Sequence, residues 1–216
     1  MAKVMSDIKV IDLENSRFTH KDEVDLIHSS FQQWRERGVE SSLLKLTPEV
    51  FIENTMHSSV FVAINGNGEL VGTTTCDWLI DKHNVQYAYN KYSAVSPLMK
   101  KSGIGSLLFD YEKECARSRK CSYILSDTSV LAPWSLKWHI KNGFNRVGLI
   151  SFNSNKYYSY LFRCQLKSPS IWDFGLYRNI RFFLSFCKTK IWQRPNGEHT
   201  KLARLIIRLL ALIIRK

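Results

Sequence analysis

The 216-residue sequence has few cysteines and no Cys-x-x-Cys pair. Its five thiols, Cys76, Cys115, Cys121, Cys164 and Cys187, are odd in number and show no metal-ligand spacing with the six histidines. That excludes a disulfide or zinc framework and fits buried thiols in a reducing cytoplasm. No two histidines stand at helical metal-binding spacing, so no metal site is expected. An apolar run of bilayer length is also missing: Leu202 to Ile214 spans thirteen residues and is interrupted by Arg208, whereas a crossing needs about 20. Residues 1–11 lack an apolar core of signal-peptide length, so secretion by that route is not expected. There is no Gly-Lys-Ser/Thr for a Walker loop, and no third glycine with a later acid for a dinucleotide fingerprint. Internal repeats and low-complexity segments are absent as well.

What is present divides unevenly. The length suits one domain plus an appendage, and the split is expected as 1–166 and 167–216. Of the net charge of +12, the last fifty residues carry +9, because only Asp173 and Glu198 oppose their eleven Lys and Arg. The larger part is nearly neutral, so basicity belongs to the C-terminal extension and needs its own explanation.

Within 1–166 the periodicity alternates between strand and helix. Ile8 to Leu13 reads as a strand, and Val24, Ile27, Phe31 and Trp34 mark a helix over Thr19 to Arg37, with Thr19 as its cap. Thr47-Pro48-Glu49 opens a short second helix. Val60 to Ile64, Asn65-Gly66-Asn67-Gly68 and Leu70 to Asp77 form a hairpin signal, and a further strand covers 85–95. A helix from Gly103 to about Ser118, a strand at Ser122 to Asp127, a helix at Pro133 to Asn142, and strands at Arg146 to Phe152 and Lys156 to Gln165 follow. The expected class is mixed α/β: a mixed central sheet flanked by helices.

The most informative stretch lies where the fourth strand meets the third helix. Gly103 and Gly105 let the chain turn sharply and let a ligand approach the amides of residues 101–106. Those amides lack intrahelical partners and sit at the positive end of the helix dipole, which suits a phosphate or pyrophosphate. Lys100 and Lys101 add positive charge there.

The run Ala94-Val95-Ser96-Pro97 followed by Lys100-Lys101-Ser102-Gly103-Ile104-Gly105 resembles the acyl-CoA signature of the GNAT N-acetyltransferase superfamily, (Gln/Arg)-x-x-Gly-x-(Gly/Ala). Lys100 stands where the family has Gln or Arg. Some 30 residues on, Trp138-His139-Ile140-Lys141-Asn142-Gly143-Phe144 resembles its Phe-Tyr-x-Lys-x-Gly-Phe element. The resemblance covers roughly residues 5–166. It implies two parallel strands, ending near Val95 and Asp127, that splay to admit the pantetheine arm of acetyl-CoA. It also implies a cosubstrate site at Ala94, Val95, Lys100, Lys101, Ser102, Gly103, Ile104, Gly105 and Ser106.

Aminolysis of a thioester needs a base for the ammonium proton and an acid for the leaving thiolate. The position of the family's usual tyrosine acid is His139 here, and Ala132 stands where asparagine is frequent. His139 is the candidate acid, against a role in helix packing. Asp127 is the candidate base, against a role as turn cap, and Asp77 lies near the end of the preceding hairpin. Tyr87, Tyr89 and Tyr92 line the acceptor site or belong to the core. No motif names the acceptor, whose contacts are expected from loops 38–46, 78–86 and 153–156. The expected activity is N-acetyl transfer to a primary amine. A donor with a longer acyl chain on CoA or acyl carrier protein, O-acylation, and a non-catalytic CoA-binding or membrane-docking module remain open.

In the extension, Lys201, Arg204, Arg208 and Arg215 share a narrow helical arc among Leu, Ile and Ala. Upstream, Trp172, Phe174, Tyr177, Phe182, Phe183 and Phe186 mix with Arg178, Arg181, Lys188 and Lys190. A basic amphipathic helix lying on an anionic membrane face accounts for this chemistry. Packing on the domain or on a second subunit of a homodimer does so equally. Nucleic acid is disfavoured, because the segment is too apolar to track phosphates. The expected location is the cytoplasm, peripheral to the membrane.

Overall fold

The computed structural model describes residues 7–39, 41–152, 157–167, 180, 182–185, 187, 191 and 199–206. Seven strands form one mixed sheet: β1 (Lys9–Asp12), β2 (Ser58–Ile64), β3 (Leu70–Ile80), β4 (Gln86–Val95), β5 (Tyr123–Ser129), β6 (Asn145–Ser151) and β7 (Tyr158–Gln165), in the order β1-β2-β3-β4-β5-β7-β6. Four helices flank it: α1 (His20–Glu36), α2 (Pro48–Thr55), α3 (Ile104–Ser118) and α4 (Pro133–Lys141). The order of elements and the mixed sheet agree with the expectation from periodicity and resemblance.

Local chemistry explains the starts and stops. Thr19 caps α1 in a capping box, its backbone N–H donating to Asp22 Oδ2 at 2.8 Å while its hydroxyl accepts from the Asp22 amide. Thr47 accepts from the Val50 amide at the head of α2, with Pro48 in the first turn. Asn65 closes the β2–β3 hairpin, its side-chain oxygen accepting from the amides of Asn67 and Glu69.

The chain divides into two compact units, residues 1–126 with 164–167, and residues 127–163 with 168–216. In the first, β1 to β4 pair antiparallel. On one face α1 and α2 bury Val24, Ile27, Phe31 and Phe51 against Val60, Val62 and Ala94. On the other, α3 lies against β3 at Gly72, where an added Cβ would stand 2.8 Å from Ile104 Cγ2 and 2.9 Å from Leu108 Cδ1. Both faces bury a carboxyl. Glu23 on α1 accepts the Thr73 hydroxyl proton at 2.6 Å, and Glu112 on α3 accepts from Asn90 Nδ2. Desolvation pushes Glu23 up to about 7 and Glu112 to about 8.

In the second unit, β6 and β7 pair antiparallel with an irregularity between Arg146 and Gly148. A helical stretch of the extension packs on this hairpin. Ser185 Oγ accepts from the Leu149 amide at 3.0 Å and donates to the Leu149 carbonyl at 3.2 Å, and Arg146 lies over the rings of both Tyr160 and Phe182. These contacts join the described residues Phe182 and Ser185 to the β6–β7 hairpin. No described helix is long and apolar enough to cross a membrane. Most of the amphipathic extension, including Arg208 and Arg215, lies outside the described residues.

Two predictions follow from this packing. Gly72→Ala forces α3 away from β3 and is expected to lower stability by about 1–3 kcal/mol in urea unfolding; no loss would mean that Ile104 and Leu108 move freely. Glu23 holds its proton in the folded chain up to about pH 7 and loses it near 4.5 when unfolded. Its stabilising term is thus complete below about pH 4.5 and fades as pH rises to 7, by about 1.4 kcal/mol per pH unit. Relative to the parent, Glu23→Gln is expected to gain about 3 kcal/mol between pH 4.5 and 8, and a constant difference would show that Glu23 does not titrate there.

Candidate functional site

The parallel contact between β4 and β5 is short. Its register joins Ala88 to Ile124, Tyr89 to Leu125 and Asn90 to Ser126, whereas β4 continues with β3 as far as Gly72↔Val95. Past Asn90, β4 bulges: Thr73 pairs with Ala94 and Thr75 with Lys91, so Thr74 faces both Tyr92 and Ser93. Tyr92 takes a left-handed φ of 55° there. The bulge and the loss of the parallel partner coincide, and together they open the sheet edge of β4 just before its C-terminal end.

That end runs straight into the glycine loop. The Ser96 amide still donates to Val71 O, and a 3-10 turn covers Pro97–Met99. The chain then passes through Lys101 (φ 65°) and Gly103 (φ 95°), both left-handed. Gly103 is the N-cap of α3, and the amides of Ser106 and Leu107 both return to its carbonyl. This leaves the Ile104 and Gly105 amides at the tip of the fifteen-residue helix, the geometry that suits a bound anion. Ile104 is buried on the Gly72 side, so the tip is anchored by the same side chain whose amide it presents. Ala94 is buried under α1 and α2, and Val95 is half-buried. Ser102 donates to Met99 O, and Ser106 is half-buried in the first turn.

The two lysines behave differently. Lys101 is exposed beside the loop. Lys100 reaches α1 instead, donating to Gln33 Oε1 at 2.5 Å and lying 3.4 Å from Ser30 O. Desolvation and the Arg37 guanidinium hold its pKa below the usual value.

Asp127 and His139 belong to the second unit. Asp127 is half-buried and is not the last residue of its strand, since β5 continues to Ser129. The turn that follows is held by Ser129, whose hydroxyl accepts from the Leu131 amide. His139 is 4% exposed, stacked on Phe162 at 4.5 Å and edge-on to Trp138 and Phe144. Its Nδ1 faces Ser135 O at 2.8 Å, which fits the tautomer with the proton on Nδ1, and burial pushes its pKa down to about 4. At neutral pH it is an uncharged ring in an aromatic cluster. Tyr87 stacks on Tyr123, and Tyr92 packs on Phe51.

Sequence reasoning did not single out Gly72, Asn90 or Glu112, nor the burial of Glu23. The two acids carried a signal: Glu23 adjoins Val24 and precedes Ile27, and Glu112 follows Leu108 by four, so each falls on an apolar helical face. Asp77 is ion-paired with Lys91 Nζ at 2.8 Å and accepts from the Ser58 hydroxyl. Among the described residues no group of three or more His, Cys, Asp or Glu is placed to hold a metal ion.

No protein-family model matches the sequence. No curated protein is significantly similar to it either. Solved structures are similar in shape. A GNAT-family acetyltransferase from Staphylococcus aureus Mu50 superposes with a TM-score of 0.57 at 18% identity, over 74% of this chain and 99% of that one. An acetyltransferase from Streptococcus agalactiae gives 0.56 at 18% identity, with the same shares covered. The NatC complex bound to Gag peptide and CoA gives 0.55 at 16%, again over 74% and 99%. With a β4 that leaves β5 at a bulge and hands its chain to a glycine-capped helix, this protein has the fold of the GNAT acetyltransferases.

Proposed function

We propose that the chain is an acyl-CoA-dependent N-acyltransferase that uses acetyl-CoA and a primary amine acceptor. The observation that carries this reading is the junction of β4 and α3: an open strand edge at Ala94 and Val95 leading within ten residues to free amides at Ile104 and Gly105. The amides and the helix dipole bind the pyrophosphate, with Lys101 as the adjacent cation. The exposed backbone of β4 binds the pantetheine amides as a further strand would.

Chemistry then needs little more than alignment. A neutral amine attacks the thioester carbonyl carbon, the C–S bond breaks, and the thiolate takes a proton while the new amide nitrogen loses one. Proximity alone supplies effective molarities up to about 10⁵–10⁸ M for well-oriented groups. Neutral, enclosed His139 suits packing rather than donation of a proton. Asp127 stays the candidate base, as the half-buried carboxyl next after the last parallel pair. The reading includes a cytoplasmic enzyme held at an anionic membrane face through 167–216, supported by that segment's basic and apolar sequence and by exposed Phe183, Leu184, Leu202 and Leu205.

Titration calorimetry tests the donor site. Acetyl-CoA is expected to bind the full chain and to lose at least about tenfold in affinity in Gly103→Val, because a β-branched residue is strained at φ 95°. A folded protein that binds no CoA thioester would end the reading, and a preference for palmitoyl-CoA would move it to long-chain donors. His139 is expected to titrate at about 4 by NMR of its ring protons; a midpoint near 6.5, the ordinary value, would restore it as an acid at neutral pH. Membrane association predicts that the full chain sediments with anionic vesicles and that removal of 167–216 abolishes this.

A further inference from the structure

Asn90 occupies the last parallel pair before β4 leaves β5, and its amide group is fully used. Nδ2 donates to Thr74 Oγ1 at 2.8 Å and to Glu112 Oε2, while Oδ1 accepts from Ser93 Oγ at 2.9 Å and Ser126 Oγ at 3.3 Å. Thr74 and Ser93 are themselves joined at 2.7 Å. Since the one Ser93 hydroxyl proton goes to Asn90 Oδ1, the proton between Thr74 and Ser93 comes from Thr74, and the three side chains close a ring. This ring ties the bulge residue Ser93 to the β3 residue opposite it, and Asn90 ties both to Ser126 on β5. The partner that fixes the amide's orientation is Glu112, wholly buried, whose Oε1 has no hydrogen-bond partner among the described residues.

We propose that the Asn90–Glu112 pair is a positioning device that fixes where β4 parts from β5 and so sets the floor of the opening that receives the acyl arm. The inference rests on the acyl-CoA reading for its ligand, and on the hydrogen-bond ring for its geometry. A neutral carboxyl serves this role because it accepts from Asn90 through one oxygen and keeps its proton on the other, beside the Cys76 thiol. Ionisation would bury a full charge, whose desolvation the Asn90 amide and the Cys76 thiol offset only in part. The ionisable neighbours are thiols: Cys76 from β3, Cys115 from α3 itself and Cys164 from β7. β4 and β5 contribute only the uncharged Asn90 and, through it, Ser126. Lys113 and Arg117 on α3 act on Cys164 rather than on the Glu112 carboxyl. The restraint is therefore complete below about pH 4.5, fades as pH rises to about 8, and changes no further above that.

The test compares the full-length parent with Glu112→Gln, which retains an acceptor for Asn90 and carries no ionisable proton. Desulfo-CoA is the probe, since it lacks a thiol that could react during the titration. The parent is expected to lose about tenfold in affinity between pH 5 and 8, and E112Q to stay nearly level. In the ligand-free proteins, exchange protection of amides in the Ala88–Asn90 and Ile124–Ser126 register, corrected for the intrinsic rates, should fall between pH 5 and 8 in the parent only. Parallel pH profiles in the two proteins, in both measurements, would overturn the proposal. A difference in protection without desulfo-CoA binding at any pH would defeat the acyl-CoA reading and the acyl-arm role with it, leaving a purely structural pair.

Discussion

The contact at Gly72 governs the rest of the site. A helix usually packs about 10 Å from a sheet because side chains stand between them, but the missing Cβ at Gly72 lets Ile104 and Leu108 reach the β3 backbone. Ile104 is the first residue of α3. The same contact that seats the helix therefore fixes the height of its N-terminus relative to the end of β4, only nine residues earlier in the chain at Val95. The turn between them has little slack, and it uses two left-handed residues, Lys101 and Gly103, to reverse direction. Loop shape thus follows from packing in the first unit, and the glycines of the loop solve a path problem that Gly72 creates.

The sheet of the first unit carries a buried acid on each face, Glu23 toward α1 and Glu112 toward α3, and both bond to strand residues near the bulge. A fully apolar core would be more stable at neutral pH, because desolvation already opposes the ionisation of each carboxyl. What the carboxyls provide is direction. Thr73 and Asn90 each have one orientation that satisfies the acid, a directional restraint that apolar contacts do not supply. The β4 bulge needs such a restraint, because Tyr92 at φ 55° is strained and returns to regular pairing unless its neighbours hold it.

The sequence discloses elements whose signals are local. Thr19, Pro48 and the Asn65–Gly68 turn mark their boundaries by side-chain chemistry that acts within four residues, and those boundaries lie within two residues of expectation. Gly103 discloses the head of α3 for the same reason. Tyr92 gives no warning of its left-handed backbone, since an aromatic residue in an alternating run is what a regular strand requires. The direction of Lys100 is equally hidden: its partner Gln33 lies 67 positions earlier, and adjacency to the glycines suggests a ligand where the fold supplies a helix. Gly72 looks like any strand glycine until α3 is placed beside it.

His139 shows how a motif position can persist while its chemistry changes. The Trp138 to Phe144 segment ends α4 at Gly143 (φ 85°) and places Phe144 in the cluster with His139 and Phe162. A phenol at position 139 could bury its ring and still present a hydroxyl at the rim. An imidazole has no such reach: its nitrogens sit in the ring, one is taken by Ser135 O, and burial withholds the second proton until about pH 4. If acyl transfer occurs on this scaffold, proton delivery to the thiolate then falls to water or to another hydroxyl at the opening. Alignment of amine and thioester is left as the dominant contribution of the protein, which is why the geometry of β4 outweighs any single ionisable side chain.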